Sequence, residues 1–261
     1  MTINLYDESF YKEQMSGSYE SAILYAKYLS KILKPTSVAD LGCGRGTWLK
    51  AFGELGVEKL VGFDGSWNSQ NQMVDASITF VPTDLNQPLS NRSEKFDLAI
   101  SLEVAEHLHQ ESSKTFVQNI ASLSDVVMFG AAYTKQGGTD HINEQPHTYW
   151  ANMFIEAGYI PYDLFRPLFW GNKKIEFWYQ QNTFLYVKSS SEFNLILKNA
   201  GHAPIENIEF MNCVHPHLFN AWVSSFDKLQ RSPVKNFLKM MIPEQLLPMA
   251  IKLKTFCKLN E

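Results

Sequence analysis

The sequence predicts an α/β protein: a doubly wound sheet of seven strands, mostly parallel with one antiparallel strand, followed by a helical carboxyl-terminal extension. Three observations predict it. Residues 38–48, Val-Ala-Asp-Leu-Gly-Cys-Gly-Arg-Gly-Thr-Trp, run from an apolar stretch through alternate glycines into a helical pattern. Apolar runs at 59–64, 78–84 and 96–101 follow, and the first two end in acids, Asp64 and Asp84. The run Phe96-Asp-Leu-Ala-Ile-Ser101 is apolar apart from Asp97, as a parallel strand buried on both faces requires.

The elements follow in order. Residues 1–17 hold Tyr6, Phe10, Tyr11 and Met15 among polar residues and read as a lid or an ordered arm. Ser18 to Leu33 is an amphipathic helix with apolar Ala22, Leu24, Tyr25, Tyr28, Leu29, Ile32 and Leu33, closed by Pro35. Strand, glycine turn and helix occupy 38–55. Ser112 to Leu123 is a helix, Val126 to Ala132 the fifth strand, and Pro146 to Ala157 a helix with proline in its first turn and Gly158 at its end. Residues 160–166 and 182–188 are the last two strands. The aromatics between them, Phe169, Trp170, Phe177, Trp178 and Tyr179, form either a sugar-stacking wall or the core of a hairpin. Three serines at 189–191 mark a boundary, giving a domain at 1–190 and a proline-interrupted helical extension at 191–261.

The glycine turn carries the chemistry. Gly42, Gly44 and Gly46 permit positive φ and close approach of a ligand to the main chain, at the strand end where open α/β sheets bind nucleotides. The spacing G-x-G-x-G, preceded by Asp40, lacks the lysine of a phosphate-cradling loop and is not the G-x-G-x-x-G of dinucleotide sites. Asp64 lies 18 residues past Gly46, where a carboxylate accepts bonds from a ribose diol. Downstream, Glu103, Glu106 and His107 share one face if a helix begins near Glu103. Two carboxylates and an imidazole so placed favour a divalent cation between them, Mg²⁺ or Mn²⁺ for an oxygen-rich set.

This pattern, over about residues 20–190, resembles motif I and the following acids of the class I S-adenosylmethionine-dependent methyltransferases. The resemblance implies their Rossmann-like fold and S-adenosylmethionine as cofactor. It implies cofactor contacts from Asp40, Gly42, Gly44, Gly46, Asp64, Asp84 with Leu85, and Ser101, Asp84 facing the adenine amino group. Trp67 either covers the adenine face or is a loop aromatic. The Glu-x-x-Glu-His spacing is similar to that of small-RNA 2′-O-methyltransferases and ubiquinone-pathway O-methyltransferases, some of which complete a metal site with a histidine after the fifth strand. His141 stands in that place, with Asn143, Glu144 and Gln145 as supporting residues. Without a metal, His107 or His141 is a general base, or His107 is structural; His109 and His147 read as packing or helix-surface residues.

Tyr11-Lys-Glu-Gln-Met-Ser-Gly-Ser18, Glu103-Val-Ala-Glu-His107, Gly137-Gly-Thr-Asp-His-Ile-Asn-Glu-Gln145 with Tyr149-Trp150, and Val214-His-Pro-His-Leu-Phe219 resemble a bacterial group found in surface-polysaccharide pathways. That resemblance implies a saccharide or other small-molecule acceptor in capsule or O-antigen synthesis, through a hydroxyl or a substituent such as a phosphoramidate. An RNA 2′-O-methyltransferase and a non-catalytic cofactor-binding subunit are the alternatives.

Composition narrows the choice. The net charge is −4, and residues 1–230 carry 17 basic against 25 acidic residues, which disfavours nucleic acid as partner. Residues 231–261 carry six Lys or Arg against two Glu, and Pro233 to Ile242 mixes lysines with apolar residues. That stretch fits peripheral contact with an anionic membrane, a homo-oligomer contact, or packing on its own domain. No run approaches 18 apolar residues and no secretory signal is evident, so a cytoplasmic protein is expected. Cys43, Cys213 and Cys257 are too widely spaced for a zinc site or a disulfide framework.

Overall fold

The computed structural model describes residues 8–89 and 94–230. Seven strands form one sheet: β1 (Ser37–Leu41), β2 (Lys59–Asp64), β3 (Ile78–Pro82), β4 (Leu98–Leu102), β5 (Val126–Gly130), β6 (Tyr159–Tyr162) and β7 (Phe184–Lys188), in the order β3-β2-β1-β4-β5-β7-β6. Pairings β1 through β5 are parallel, and β7 runs antiparallel to both β5 and β6. The order reverses between β1 and β4, so their carboxyl ends open the crevice in which doubly wound sheets bind ligands.

Strand alternation builds two cores. Val38, Leu98, Ile100, Met128, Leu185 and Val187 face one side, beneath helices α1 (Glu8–Ile32) and α2 (Thr47–Gly53). Ala39, Leu41, Ala99, Val127, Phe129, Phe184 and Tyr186 face the other, against α3 (Ser113–Leu123) and α4 (His147–Glu156). α1 buries Ala22, Tyr25, Ala26 and Leu29 completely, the i, i+3, i+4, i+7 stripe of a helix on a core. α3 buries Phe116, Val117, Ile120 and Leu123, each stabilising the fold by roughly 1.5–3 kcal/mol.

Several expectations shift. α1 begins at Glu8, so the arm at 8–17 is the first part of that helix; Tyr6 lies outside the described residues. The third strand stops at Pro82, which leaves Asp84 in the following turn. The last two strands pair antiparallel, but the segment between them is helical rather than a hairpin turn. Pro167 near the start of α5 (Arg166–Phe169) and Gly171 at φ 82° after it enforce a short helix and a reversal, and α6 (Phe177–Asn182) leads into β7. Phe169 stacks 4.6 Å from Tyr25, and Tyr179 is buried 5.1 Å from Trp48. Trp170 and Phe177 remain near the surface, beside His215.

The domain boundary also moves. α7 (Phe193–Asn199) seats Phe193 and Leu197 in the core under the sheet, and Met211 is buried in the opposite core. Residues 191–215 therefore belong to the first compact unit, and the second begins at Pro216 with α8 (Pro216–Gln230). The mixed apolar and basic stretch at 233–242 lies outside the described residues. Among the described residues, no helix is long and apolar enough to cross a membrane.

Candidate functional site

The carboxyl end of β1 enters the glycine turn. Gly42 (φ 85°) donates its N–H to the Phe63 carbonyl at 2.7 Å, and a Cβ there would stand 2.3 Å from Val104. Gly46 (φ 82°) caps α2 in the left-handed region. Gly44 (φ 51°) differs, since a Cβ added there would meet no protein atom within 4 Å. Its main chain presents an open flank to an incoming ligand. Behind the turn, Cys43 packs its sulfur against Gly62, where a Cβ would stand 2.6 Å from Sγ.

Asp64 closes β2 beside this turn. Its Oδ2 accepts from Gly44 N and its Oδ1 from Gly65 N, both at 2.7 Å. Burial raises its pKa and those two N–H donors lower it. Asp40 is buried at the end of β1, its pKa raised well above the usual carboxylate range by burial and by Asp64. The Trp67 ring lies against Gly65 and is 74% exposed. Asp84 is exposed, its Oδ1 accepting from Asn86 N at 3.0 Å, while Leu85 is buried below it. The Ser101 hydroxyl is spent inside the sheet, donating to the Leu41 carbonyl at 2.7 Å, so only its backbone is left for a cofactor.

The expected helix at Glu103 does not form. Glu103 adopts φ 57°, and a single 3₁₀ turn, Ala105–His107, follows. The Glu103 carboxylate is taken up by Asn182 and Gln136, which donate to its two oxygens at 2.8 Å each, and it lies outside the cluster formed by Glu106 and His107. Burial raises its pKa to about 7 against those donors. Glu103 therefore leaves the expected ligand set.

What remains is a tight trio. Ligand-type atoms of Glu106, His107 and His141 lie within 4.8 Å of one another. Glu106 is fully buried, and neither carboxylate oxygen makes a well-formed hydrogen bond, although its own N–H and that of Ala132 lie near enough to favour the charged form; Nδ1 of His107 is likewise buried without a well-formed bond. Burial, then the charge of Glu103, push Glu106 well above its ordinary pKa. Burial and His141 push His107 down. His141 places Nε2 4.0 Å from Glu106 Oε1 and Nδ1 2.9 Å from Glu144 Oε1. Glu144 as a carboxylate can only accept, so Nδ1 carries a proton and the neutral tautomer this contact selects has its lone pair on Nε2, toward the trio. The loop is pinned there because Ile142 N and Asn143 N both donate to the Glu106 carbonyl at 2.9 Å. Gly138 has no Cβ, which makes room for the His141 ring.

Residues 11–207 match the family model described as a methyltransferase domain. The chain belongs to this family. It is a methyltransferase of the S-adenosylmethionine-dependent class, with the doubly wound sheet expected of it. No curated protein sequence matches it. Among solved structures, DesVI of Streptomyces venezuelae is similar at 15% identity and a TM-score of 0.52, over 70% of this chain and 96% of that one. The plantazolicin methyltransferase BpumL, in complex with a monoazolic desmethylPZN analog and SAH, is similar at 14% identity and a TM-score of 0.50, over 69% and 88%. These likenesses speak for the fold.

Two residues of the methyltransferase were not singled out from its sequence. Asn68 is buried, donates through Nδ2 to the Gly44 carbonyl and accepts from Arg45 at 3.3 Å, so it fastens the glycine turn from the β2 side. Its signal was an asparagine four residues past the ribose-type acid. Asn182 is the other; nothing local in sequence ties the end of α6 to the end of β4.

Proposed function

We propose that this methyltransferase is a metal-assisted O-methyltransferase acting on a hydroxyl of a saccharide or surface-polysaccharide precursor. One observation carries the reading: the buried Glu106 carboxylate has no well-formed hydrogen bond and lies with a ring nitrogen from each of two histidines within 4.8 Å. A buried carboxylate so weakly served by donors costs several kcal/mol when ionised. A cation held by Glu106, His107 and His141 offsets that cost and fits the donor set. Two imidazoles and one carboxylate suit Mn²⁺ better than Mg²⁺, which a set with both glutamates would have favoured.

Methyl transfer from a sulfonium is an in-line displacement, and the protein must align an acceptor oxygen with the methyl carbon. The open flank of Gly44 and the Asp64 carboxylate hold the nucleoside and methionine parts of the cofactor. The trio lies past the end of the adjacent strand, β4, where an acceptor meets the methyl group. When bound, a divalent ion there lowers the pKa of an acceptor hydroxyl and fixes its direction. Glu144 holds His141 in the tautomer that leaves Nε2 free for this task. The saccharide assignment rests on the resemblance of the Gly137–Gln145 loop and the Val214–Phe219 segment to the polysaccharide group.

Calorimetric titration of Mn²⁺ and of Mg²⁺ into metal-stripped protein holding S-adenosylhomocysteine tests this. One Mn²⁺ site, weaker for Mg²⁺ and lost in Glu106→Gln, is expected. Absence of a site, or an unchanged site in the variant, overturns the metal reading. Full transfer activity in excess chelator does the same.

A further inference from the structure

A buried chain of side-chain hydrogen bonds runs from the end of β4 to the segment after α7. Its amides can be oriented without assumption, because two backbone N–H groups anchor them. His215 N donates to Gln181 Oε1 at 2.7 Å, so Gln181 Nε2 points the other way, to Asn182 Oδ1 at 2.9 Å. Tyr133 N donates to Gln136 Oε1 at 3.2 Å, so Gln136 Nε2 donates to Glu103 Oε2 at 2.8 Å. Asn182 lies between these two anchored amides. Its Nδ2 faces Gln136 Oε1 at 2.9 Å and Glu103 Oε1 at 2.8 Å, and its Oδ1 faces Gln181 Nε2. Flipping Asn182 would set oxygen against oxygen on one side and nitrogen against nitrogen on the other.

The consequence falls on His147. Its Nδ1 lies 2.6 Å from the Met211 carbonyl, and its Nε2 lies 3.0 Å from the Asn182 Oδ1 just assigned. Both partners only accept. A neutral ring satisfies one and turns a lone pair on the other. At the far end, Glu103 receives two amide donors, the environment of an ionised carboxylate.

We propose that His147 is an imidazolium which, through Asn182, holds Glu103 as a carboxylate at the β4 end of the active-site cleft. Asn182 then works as an amide bridge inside one buried ion pair, and His147 and Glu103 are positioning residues for the methyltransferase. The pair keeps both Glu103 oxygens on Asn182 and Gln136, which leaves the neighbouring trio without a second carboxylate.

Other charges face the pair. Arg166 donates to the same Met211 carbonyl at 2.8 Å and opposes protonation of His147, but Asp163 neutralises it at 2.7 Å. The Tyr133 and Phe184 rings complete the His147 surroundings. Glu144 and Glu106 oppose ionisation of Glu103, and Tyr25 and Tyr179 lie within its electrostatic reach. Burial pulls His147 down toward about 4 and raises Glu103 to about 7. Burial thus opposes both charges, and the proposal requires each to favour the other across the Asn182 amide.

The test is the ¹⁵N spectrum of the histidine rings in the intact protein, with the His147 signals assigned by their loss in His147→Gln. At pH 7 both His147 nitrogens are expected at imidazolium positions. In Glu103→Gln, which keeps the side-chain shape, the ring is expected to turn neutral, its midpoint falling by about two units. A neutral His147 at pH 7 in the unmodified protein overturns the proposal, whether or not either variant folds. A midpoint that Glu103→Gln leaves in place overturns it too.

Discussion

Glu106 shows what one side chain costs and why it is kept. Its folded-state pKa lies well above the ordinary 4.5, so the metal-free folded protein holds that proton more tightly than the unfolded chain does. Stability contributed by the neutral form is therefore full below about pH 4.5 and is lost as pH rises toward the folded value. Glu106→Gln removes this dependence. At pH 8, without metal, the variant is expected to be more stable by ~1–3 kcal/mol, melting several degrees higher. Calorimetric melting from pH 5 to 8 checks it, and a variant less stable than the parent at pH 8 would contradict the burial argument. Saturating Mn²⁺ should reverse the ranking, because only the parent gains binding energy. The trio itself was largely legible, since Glu106, His107 and His141 carry ligand-type side chains at informative places. Glu103 misled because i, i+3, i+4 reasoning presumes a helix, and a left-handed residue at 103 breaks one.

The glycine turn is the element proposed to hold the cofactor, and its glycines have different jobs. Gly42 has positive φ and no room, with Val104 filling the space a side chain would need. Gly42→Ala is expected to cost at least about 2 kcal/mol in a denaturant titration. Gly44 has positive φ and open space, so Gly44→Ala should cost only ~1 kcal/mol of stability while obstructing the flank the ligand uses. Binding of S-adenosylhomocysteine, measured beside stability, separates the two. A Gly44→Ala protein with unchanged affinity would remove that flank from the site. The strand–turn–helix unit was readable because glycine and acid positions there answer local backbone needs. The connection through α5 and α6 was not, because its aromatics suit a hairpin as well as a helix, and packing against Tyr25 and Trp48 decides between them.

Across the whole molecule, the seven strands of the sheet follow from the apolar runs, whereas their order and the domain boundary do not. Three serines at 189–191 look like a linker, yet Phe193, Leu197 and Met211 beyond them are buried. Long-range burial of that kind leaves no local mark. At the end of the sheet's first strand, Cys43 is buried, its thiol pushed up by burial and wedged between the glycine turn and Gly62. Cys213 is exposed. Among the described residues, an alkylating reagent therefore meets one thiol, Cys213, at the surface and another, Cys43, only after the molecule opens. Cys43 becomes a clock for that opening. Peptide mapping should show Cys213 labelled at once and Cys43 over a much longer interval. S-adenosylhomocysteine should lengthen the second interval without touching the first, and rapid labelling of Cys43 in the ligand-saturated protein would show that the turn opens without releasing its ligand.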